Sequence, residues 1–143
     1  DKDIEVVAGV DSSIVDLVTR LQGGGSRCRA IAVFSPKSVY GKYYLQDLLH
    51  ALRYSRADVV GKPLLAEQKH ARYSFGVRLD PASLVFLEGA LDREQISALM
   101  SGEHGAGVMH TIRTFAADDA NYHRMNGLLS AEAVETVLRR IEV

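Results

Sequence analysis

The sequence predicts an α/β fold: a single domain with one mixed sheet and flanking helices. Three observations lead to this prediction. Short β-branched runs alternate with segments of helical apolar periodicity, a strand–helix–strand unit occupies residues 30–62, and two strand-like runs follow within residues 73–87. A chain of 143 residues, 47% of them hydrophobic, can bury one good core, so we expect one domain over residues 1–143.

The composition argues against several classes of protein. Seventeen basic and eighteen acidic residues give a formal charge of -1, which argues against a nucleic-acid partner. No apolar run approaches the roughly 20 residues of a membrane span, and no signal peptide is recognisable. The single cysteine, Cys28, cannot form an internal disulfide, which fits a reducing compartment. We therefore expect a cytoplasmic protein, and the start at Asp1 indicates a processed chain or a piece of a larger protein.

The N-terminal segment predicts a strand, a helix and a linker. Residues 4–10 are β-rich and apolar, as in a strand that is covered on both faces. Ser13 and Asp16 have the spacing of a capping box, and apolar residues then recur at helical intervals. Three glycines at 23–25 end this helix. A linker is favoured over a phosphate-binding loop there, because no Gly-Lys-Ser/Thr motif follows.

The strand–helix–strand unit organises the rest of the prediction. Residues 30–34 form its first strand, which ends where Pro36 prevents helical geometry at the preceding residue. The helix presents one apolar face of four leucines, at positions 45, 48, 49 and 52, and residues 58–62 form the second strand. A crossover of this length implies that the two strands pair in parallel, and it places a loop at the carboxyl end of the sheet.

The second half of the chain predicts a mixture of short strands and helices. Residues 73–78 and 83–87, separated by an Asp-Pro turn, are interpreted as a hairpin or as antiparallel edge strands. Asp92 is suited to cap a helix. The remaining predicted elements are a short helix at 108–112, a strand at 113–117, a polar loop at 118–123 and a last helix after Ser130.

Three loops are the best candidates for chemistry: residues 35–41, 102–104 and 118–123. Loops at the carboxyl ends of parallel strands converge over a crevice. Glu103 and His104 form the best acid/base pair, since a carboxylate at a helix start stays ionised and suits a general base. Ordinary helix capping remains the alternative for this pair. No His-x-x-x-His or Cys-x-x-Cys spacing occurs, so neither a metal site nor a cofactor is predicted.

Two motifs in the central unit resemble a branch of the bacterial family 2-like glycosyltransferases, which have the GT-A fold. They are Val39-Tyr-Gly-x-x-Tyr-Leu-x-Asp-Leu-Leu49 and Tyr54-Ser-x-Ala-Asp-Val-Val-Gly-Lys62. Three shorter matches follow in the family's order: Ser83-Leu-Val-Phe86, Gly102-Glu103 and Ala117-Asp-Asp-Ala-Asn-Tyr122. The resemblance implies a truncated GT-A-like domain that binds a nucleotide-sugar or a glycan in bacterial surface polysaccharide synthesis.

The same resemblance suggests site residues and shows one departure from the family. Glu103 and His104 fall on the base motif, with His104 where the family has an aspartate. The family's metal-binding aspartate run falls on residues 35–38, which contain no carboxylate, so no metal is expected and Lys37 could partly replace its charge. The residues that the resemblance assigns to substrate binding are Lys37, Tyr40, Gly41, Lys62, Asp118, Asn121 and Tyr122.

Two hypotheses about function follow. The first is an active glycosyltransferase-like enzyme, in which Lys37 lies near the diphosphate and Glu103 or His104 deprotonates an acceptor hydroxyl. The second is a catalytically inactive GT-A-like domain that serves as a binding or oligomerisation module, with a glycan, a second copy of the chain or other domains of a larger protein as partner. The loss of the metal carboxylates favours the second hypothesis mechanistically.

Overall fold

A computed structural model describes residues 30–64, 72–101, 111–118 and 120–124. The strand expected at 4–10, the helix and glycines after it, most of the helix at 108–112 and the last helix lie outside the described residues. The described elements are β1 (Ala30–Ala32), β2 (Ser38–Tyr40), α1 (Tyr44–Ser55), β3 (Val59–Gly61), β4 (Ser74–Phe75), a 3-10 turn (Pro81–Ser83), β5 (Val85–Leu87), α2 (Arg93–Ser101), β6 (Thr114–Ala116) and β7 (Tyr122–Arg124).

Five of these strands form a mixed sheet in the order β1-β5-β3-β6-β4. The pair β3–β6 is parallel, and the other three pairs are antiparallel. Every residue of β3 and β6 is buried, as expected of strands that are covered on both faces. The predicted α/β class with a mixed sheet is therefore confirmed for the described residues.

Two predicted pairings are wrong. The strands at 30–34 and 58–62 do not pair, because β5 lies between β1 and β3 and is antiparallel to both. The runs at 73–78 and 83–87 do not form a hairpin. The alternative, antiparallel edge strands, is confirmed for β4, whereas β5 is antiparallel to its neighbours but lies inside the sheet. After β4 the chain passes the segment that follows β3, where Leu79 and Pro63 form an isolated antiparallel β-bridge. It then enters β5, which lies in the interior of the sheet. An interior position buries the apolar side chains of β5 better than an edge does.

Helix α1 packs on one face of the sheet, but with a different face from the one predicted. Leu48 and Leu52 are buried as expected, whereas Leu49 is 39% exposed. The buried stripe is centred on Tyr44, Leu48, Ala51, Leu52 and Ser55, which recur at intervals of three and four. These side chains pack against Val60, Val85 and Phe115, which project from neighbouring strands to the same side.

The opposite face of the sheet carries α2. Its N-terminus is a reciprocal capping box. The backbone amide of Gln95 donates to Asp92 Oδ1 at 2.8 Å, and the backbone amide of Asp92 donates to Gln95 Oε1 at 2.9 Å. The prediction that Asp92 caps this helix is confirmed. Ile96 and Leu99 then join an apolar cluster with Val59, so adjacent residues of β3 serve two cores on opposite faces.

The segment at 118–123, which was predicted as a polar loop, ends in a strand. Strand β7 pairs with β2 in an antiparallel ribbon, with Val39 opposite His123 and Tyr40 opposite Tyr122. This pairing brings the loop after β1 next to the loop after β6. The sequence predicted that these two loops, at 35–41 and 118–123, converge at the carboxyl edge. Half-buried or buried tyrosines, rather than an open polar crevice, occupy their junction.

Candidate functional site

The candidate site lies at the carboxyl ends of β3 and β6, which are parallel neighbours in the sheet. Lys62 comes directly after β3, and Asp118 comes two residues after β6, so the strand pairing brings both to the carboxyl edge. Lys62 Nζ lies 3.3 Å from Asp118 Oδ1. The Lys62 side chain is fully buried, whereas that of Asp118 is 30% exposed. A buried ammonium needs such a partner, because burial of an isolated charge costs several kcal/mol or more.

Asp118 accepts two further hydrogen bonds. The Tyr73 hydroxyl donates to Oδ2 at 2.7 Å, and the Ala120 amide donates to Oδ1 at 3.1 Å. Burial acts to raise the pKa of Asp118, but the Tyr73 hydrogen bond, the charge and hydrogen bond of Lys62 and the Ala120 amide together hold it below the ordinary value of 3.8. Asp118 is therefore an ionised carboxylate with fixed orientation.

The backbone around Lys62 holds its side chain in place. The Lys62 amide donates to Ser83 Oγ at 2.8 Å, and the Asp80 amide donates to the Lys62 carbonyl at 2.8 Å. The ammonium lies 5.8 Å from the centroid of the Tyr44 ring, within the range of a cation–π contact. The 3-10 turn before β5 and the first turn of α1 thus both fix the position of the buried cation.

A tyrosine cluster joins the β2–β7 ribbon to the first turn of α1, with ring centroids 4.7 to 5.8 Å apart. It consists of Tyr40 from β2, Tyr122 from β7 and Tyr44 from α1. The Tyr40 hydroxyl donates to the Ala82 carbonyl and accepts from the Ser35 amide, each at 2.7 Å. The Tyr122 hydroxyl donates to Asp80 Oδ2 at 2.8 Å and lies 3.2 Å from Ser38 Oγ. Both expected substrate-binding tyrosines thus use their hydroxyls for contacts within the chain.

The Tyr44 hydroxyl differs from its two neighbours. It is buried and has no hydrogen-bond partner among the described residues. Burial raises the pKa of Tyr44 far above its ordinary value, and the neighbouring tyrosines and Asp80 add to the shift. An unsatisfied buried hydroxyl costs about 1–3 kcal/mol relative to a group that needs no partner.

We expect Tyr44→Phe to raise the free energy of unfolding by about 1 kcal/mol, since it removes a buried hydroxyl that lacks a partner and keeps the ring. Tyr122→Phe is the matched control. It removes a hydroxyl bonded to Asp80, so we expect it to lower the free energy of unfolding. Urea denaturation of both variants checks the pair, and a loss of stability in Tyr44→Phe would show that its hydroxyl is bonded after all.

Gly41 and Asn121 lie against each other at the start of α1. The Gly41 amide donates to the Asn121 carbonyl at 2.7 Å, and a Cβ on Gly41 would meet the Asn121 Cα at 3.0 Å. A glycine is therefore required for this close approach. Asn121 has a left-handed backbone with φ of 60°, and its Nδ2 donates to Asp47 Oδ2 at 2.8 Å. Both expected binding residues position the loop that carries Asp118.

Three predicted site residues remain. Lys37 is exposed in the turn between β1 and β2, where its backbone amide donates to Ser35 Oγ at 3.2 Å. Glu103 and His104 lie outside the described residues. Within the part of the chain that the structure describes, no group of three His, Cys, Asp or Glu side chains could hold a metal ion.

The structure adds two tyrosines that sequence reasoning missed. Tyr73 and Tyr54 are 59% and 58% exposed, although both are large aromatic residues. Tyr73 comes directly before β4 and therefore lies beside the end of β6, whereas Tyr54 comes from α1 and packs edge-on against Phe115 at 5.6 Å. The only sequence signal was Tyr54 within the glycosyltransferase-like motif. We call Tyr54, Tyr73, Asp47 and Asp118 the carboxyl-edge site.

The Tyr73–Asp118 contact predicts a pH dependence. The hydrogen bond to Asp118 raises the pKa of Tyr73 to about 12, from an ordinary 10.0. Its contribution to stability is therefore present below pH 10 and is lost as the pH rises through about 12, whereas that of Asp118 is lost as the pH falls through its lowered pKa. Tyrosinate absorbance, compared with that of Tyr73→Phe, measures the first effect. Asp118→Asn should return the Tyr73 pKa toward 10.0, and an unchanged pKa in that variant would contradict the assignment.

Comparison with protein-family models, curated proteins and solved structures finds no match for this chain. The glycosyltransferase-like family therefore stays a prediction that rests on the sequence motifs. The membrane prediction has a partial test: no helix in the described ranges is long and apolar enough to cross a bilayer.

Proposed function

We propose that this chain is a glycosyltransferase-like domain that binds a sugar, as a glycan or a nucleotide-sugar, at the carboxyl-edge site. The observation that supports the proposal is the Asp118 carboxylate, which Lys62 and Tyr73 hold in place yet which stays 30% exposed. The exposed Tyr54 hydroxyl lies within the range of its charge. Polar groups with fixed orientation next to apolar rings are typical of small-molecule sites.

The chemistry of the site suits a sugar. A carboxylate has about four acceptor positions, and the described donors to Asp118 number three: Lys62, Tyr73 and Ala120. One position is left for a hydroxyl donor from a ligand. The exposed rings of Tyr54 and Tyr73 offer flat apolar surfaces against which the C–H face of a pyranose packs.

Binding, rather than turnover, is the activity that we propose. Residues 35–38, where the family resemblance places metal-binding aspartates, contain no carboxylate, so the described loop cannot hold a divalent ion in the family's manner. The hydroxyls of Tyr40 and Tyr122 are engaged within the chain. The alternative of an oligomerisation module predicts instead a mass that depends on protein concentration.

Thermal unfolding with a panel of oligosaccharides and nucleotide-sugars tests the proposal. A ligand at one hundred times its Kd stabilises the folded state by about 2.7 kcal/mol, which raises Tm by several degrees in a domain of this size. We expect a shift with at least one sugar, and a smaller shift for Asp118→Asn than for the control Glu94→Gln, which alters an exposed carboxylate on α2. No shift with any sugar, or equal shifts for both variants, would contradict sugar binding at this site.

A further inference from the structure

We infer that the carboxyl-edge site takes an uncharged sugar and excludes the diphosphate of a nucleotide-sugar. This inference rests on the proposed function and narrows its ligand to a glycan or a free sugar. It departs from the nucleotide-sugar donor that the sequence motifs imply. Four features of the described residues support it: the burial of Lys62, the position of Lys37, the charge of the site and the exposed rings.

The cation at the site is not accessible to a phosphate. Lys62 is fully buried, and its ammonium lies against Asp118 on one side and the Tyr44 ring on another. A diphosphate would have to displace Asp118 to reach it. Displacement would leave a carboxylate next to two negative phosphates, which Coulomb repulsion opposes strongly in a partly buried site.

Lys37 does not supply the missing charge. It is exposed in the turn between β1 and β2, whereas Lys62 is fully buried. A phosphate that contacts Lys37 therefore cannot also contact the Lys62 ammonium unless Asp118 is displaced. The two predicted binding lysines do not form one phosphate site.

The two charged residues of the carboxyl-edge site, Asp47 and Asp118, are both carboxylates. Asp47 lies in the first turn of α1 and accepts a hydrogen bond from Asn121, which comes from the same loop as Asp118. Burial raises the pKa of the Tyr54 hydroxyl, and the charges of Asp118 and Asp47 raise it further, so both carboxylates act at that exposed hydroxyl. An anion that approaches Tyr54 meets the same two charges.

Exposed aromatic side chains give an uncharged sugar a surface to bind. Tyr54 packs edge-on against Phe115 at 5.6 Å, so its position is fixed by the sheet. Tyr73 is hydrogen-bonded to Asp118 and its ring stays exposed. Rings held in place in this way bind with little loss of side-chain entropy, and hydroxyl groups beside them can reach the Asp118 carboxylate.

Isothermal titration calorimetry at low and physiological salt tests the inference. The neutral probes are trisaccharides of glucose, galactose, mannose and N-acetylglucosamine and the methyl glycosides of the same four sugars. Each methyl glycoside is paired with the UDP- or GDP-linked form of the same sugar, and UDP, GDP and uridine are tested alone.

We expect at least one methyl glycoside to bind and its nucleotide-linked partner to bind at least tenfold more weakly at low salt. This difference in affinity should shrink as salt screens the repulsion. UDP, GDP and uridine should not bind.

Variants connect the result to the site. Tyr54→Ala should weaken binding of the neutral sugar at least tenfold. Leu87→Ala should not, because it removes an exposed side chain at the strand ends opposite the carboxyl edge. Asp47→Asn should reduce the difference in affinity between the neutral sugar and its nucleotide-linked form, because it removes one of the two negative charges. A nucleotide-linked sugar that binds more tightly than the neutral one, or whose binding is lost in Lys37→Ala, would overturn this inference and leave sugar binding intact. Absence of binding by every probe would overturn both.

Discussion

Replacement of Asp118 by alanine should lower the free energy of unfolding by about 2–4 kcal/mol. Removal of one partner from a buried ion pair costs about 3–5 kcal/mol, because the other charge stays buried, and the 30% exposure of Asp118 reduces that figure. The variant removes the carboxylate from the fully buried Lys62 ammonium and from the Tyr73 hydroxyl. Urea denaturation measures the change.

The reciprocal variant makes the prediction sharper. Lys62→Met removes the buried charge and keeps an unbranched side chain of similar length, so Asp118 keeps water, Tyr73 and the Ala120 amide as partners. We therefore expect Lys62→Met to cost clearly less than Asp118→Ala. Equal costs for the two variants would contradict this expectation and show that burial of the Lys62 charge does not determine the stability of the carboxyl edge.

Replacement of Leu48 by alanine should lower the free energy of unfolding by about 2–5 kcal/mol. Leu48 is completely buried between α1 and the sheet, so truncation loses apolar contact and leaves a cavity. The adjacent Leu49 is the matched control, because it is the same residue type in the same helix but 39% exposed.

We expect Leu49→Ala to change stability by less than about 0.5 kcal/mol, as exposed substitutions usually do. Comparable losses in the two variants would mean that the helix presents the four-leucine face predicted from the sequence rather than the stripe centred on Leu48. Chemical denaturation with the same probe for both variants makes the comparison direct, since the slope of the transition also reports whether the folded state has changed.

Elements with a local signal could be predicted from the sequence. Helix α2 begins after the capping residue Asp92, and β3 and β6 lie within the runs predicted as strands at 58–62 and 113–117. The strand order could not be predicted, because the insertion of β5 between β1 and β3 depends on contacts between residues distant in the sequence. Local periodicity contains no information about which strands become neighbours.

The candidate site also combines residues that the sequence indicates with residues whose role depends on long-range contacts. Lys62 and Asp118 were chosen from motif resemblance, and the structure brings them within 3.3 Å because β3 and β6 are parallel neighbours. Tyr73 was missed because its role follows from the pairing of β4 with β6, a long-range contact that an alternating pattern does not reveal. Tyr40 and Tyr122 were expected to face a ligand, but their pairing in the β2–β7 ribbon directs their hydroxyls into the chain.

Amide chemical shifts recorded during titration with the tightest-binding neutral trisaccharide locate the ligand directly. Sugar binding at the carboxyl-edge site predicts the largest changes at the amides of Tyr73, Asp118 and Ala120, and none at Leu87 and Glu88 on the opposite edge of the sheet. The same experiment with UDP should leave the spectrum unchanged. Changes confined to residues 35–38, or changes with UDP around Lys62, would contradict the proposed site and its exclusion of phosphates.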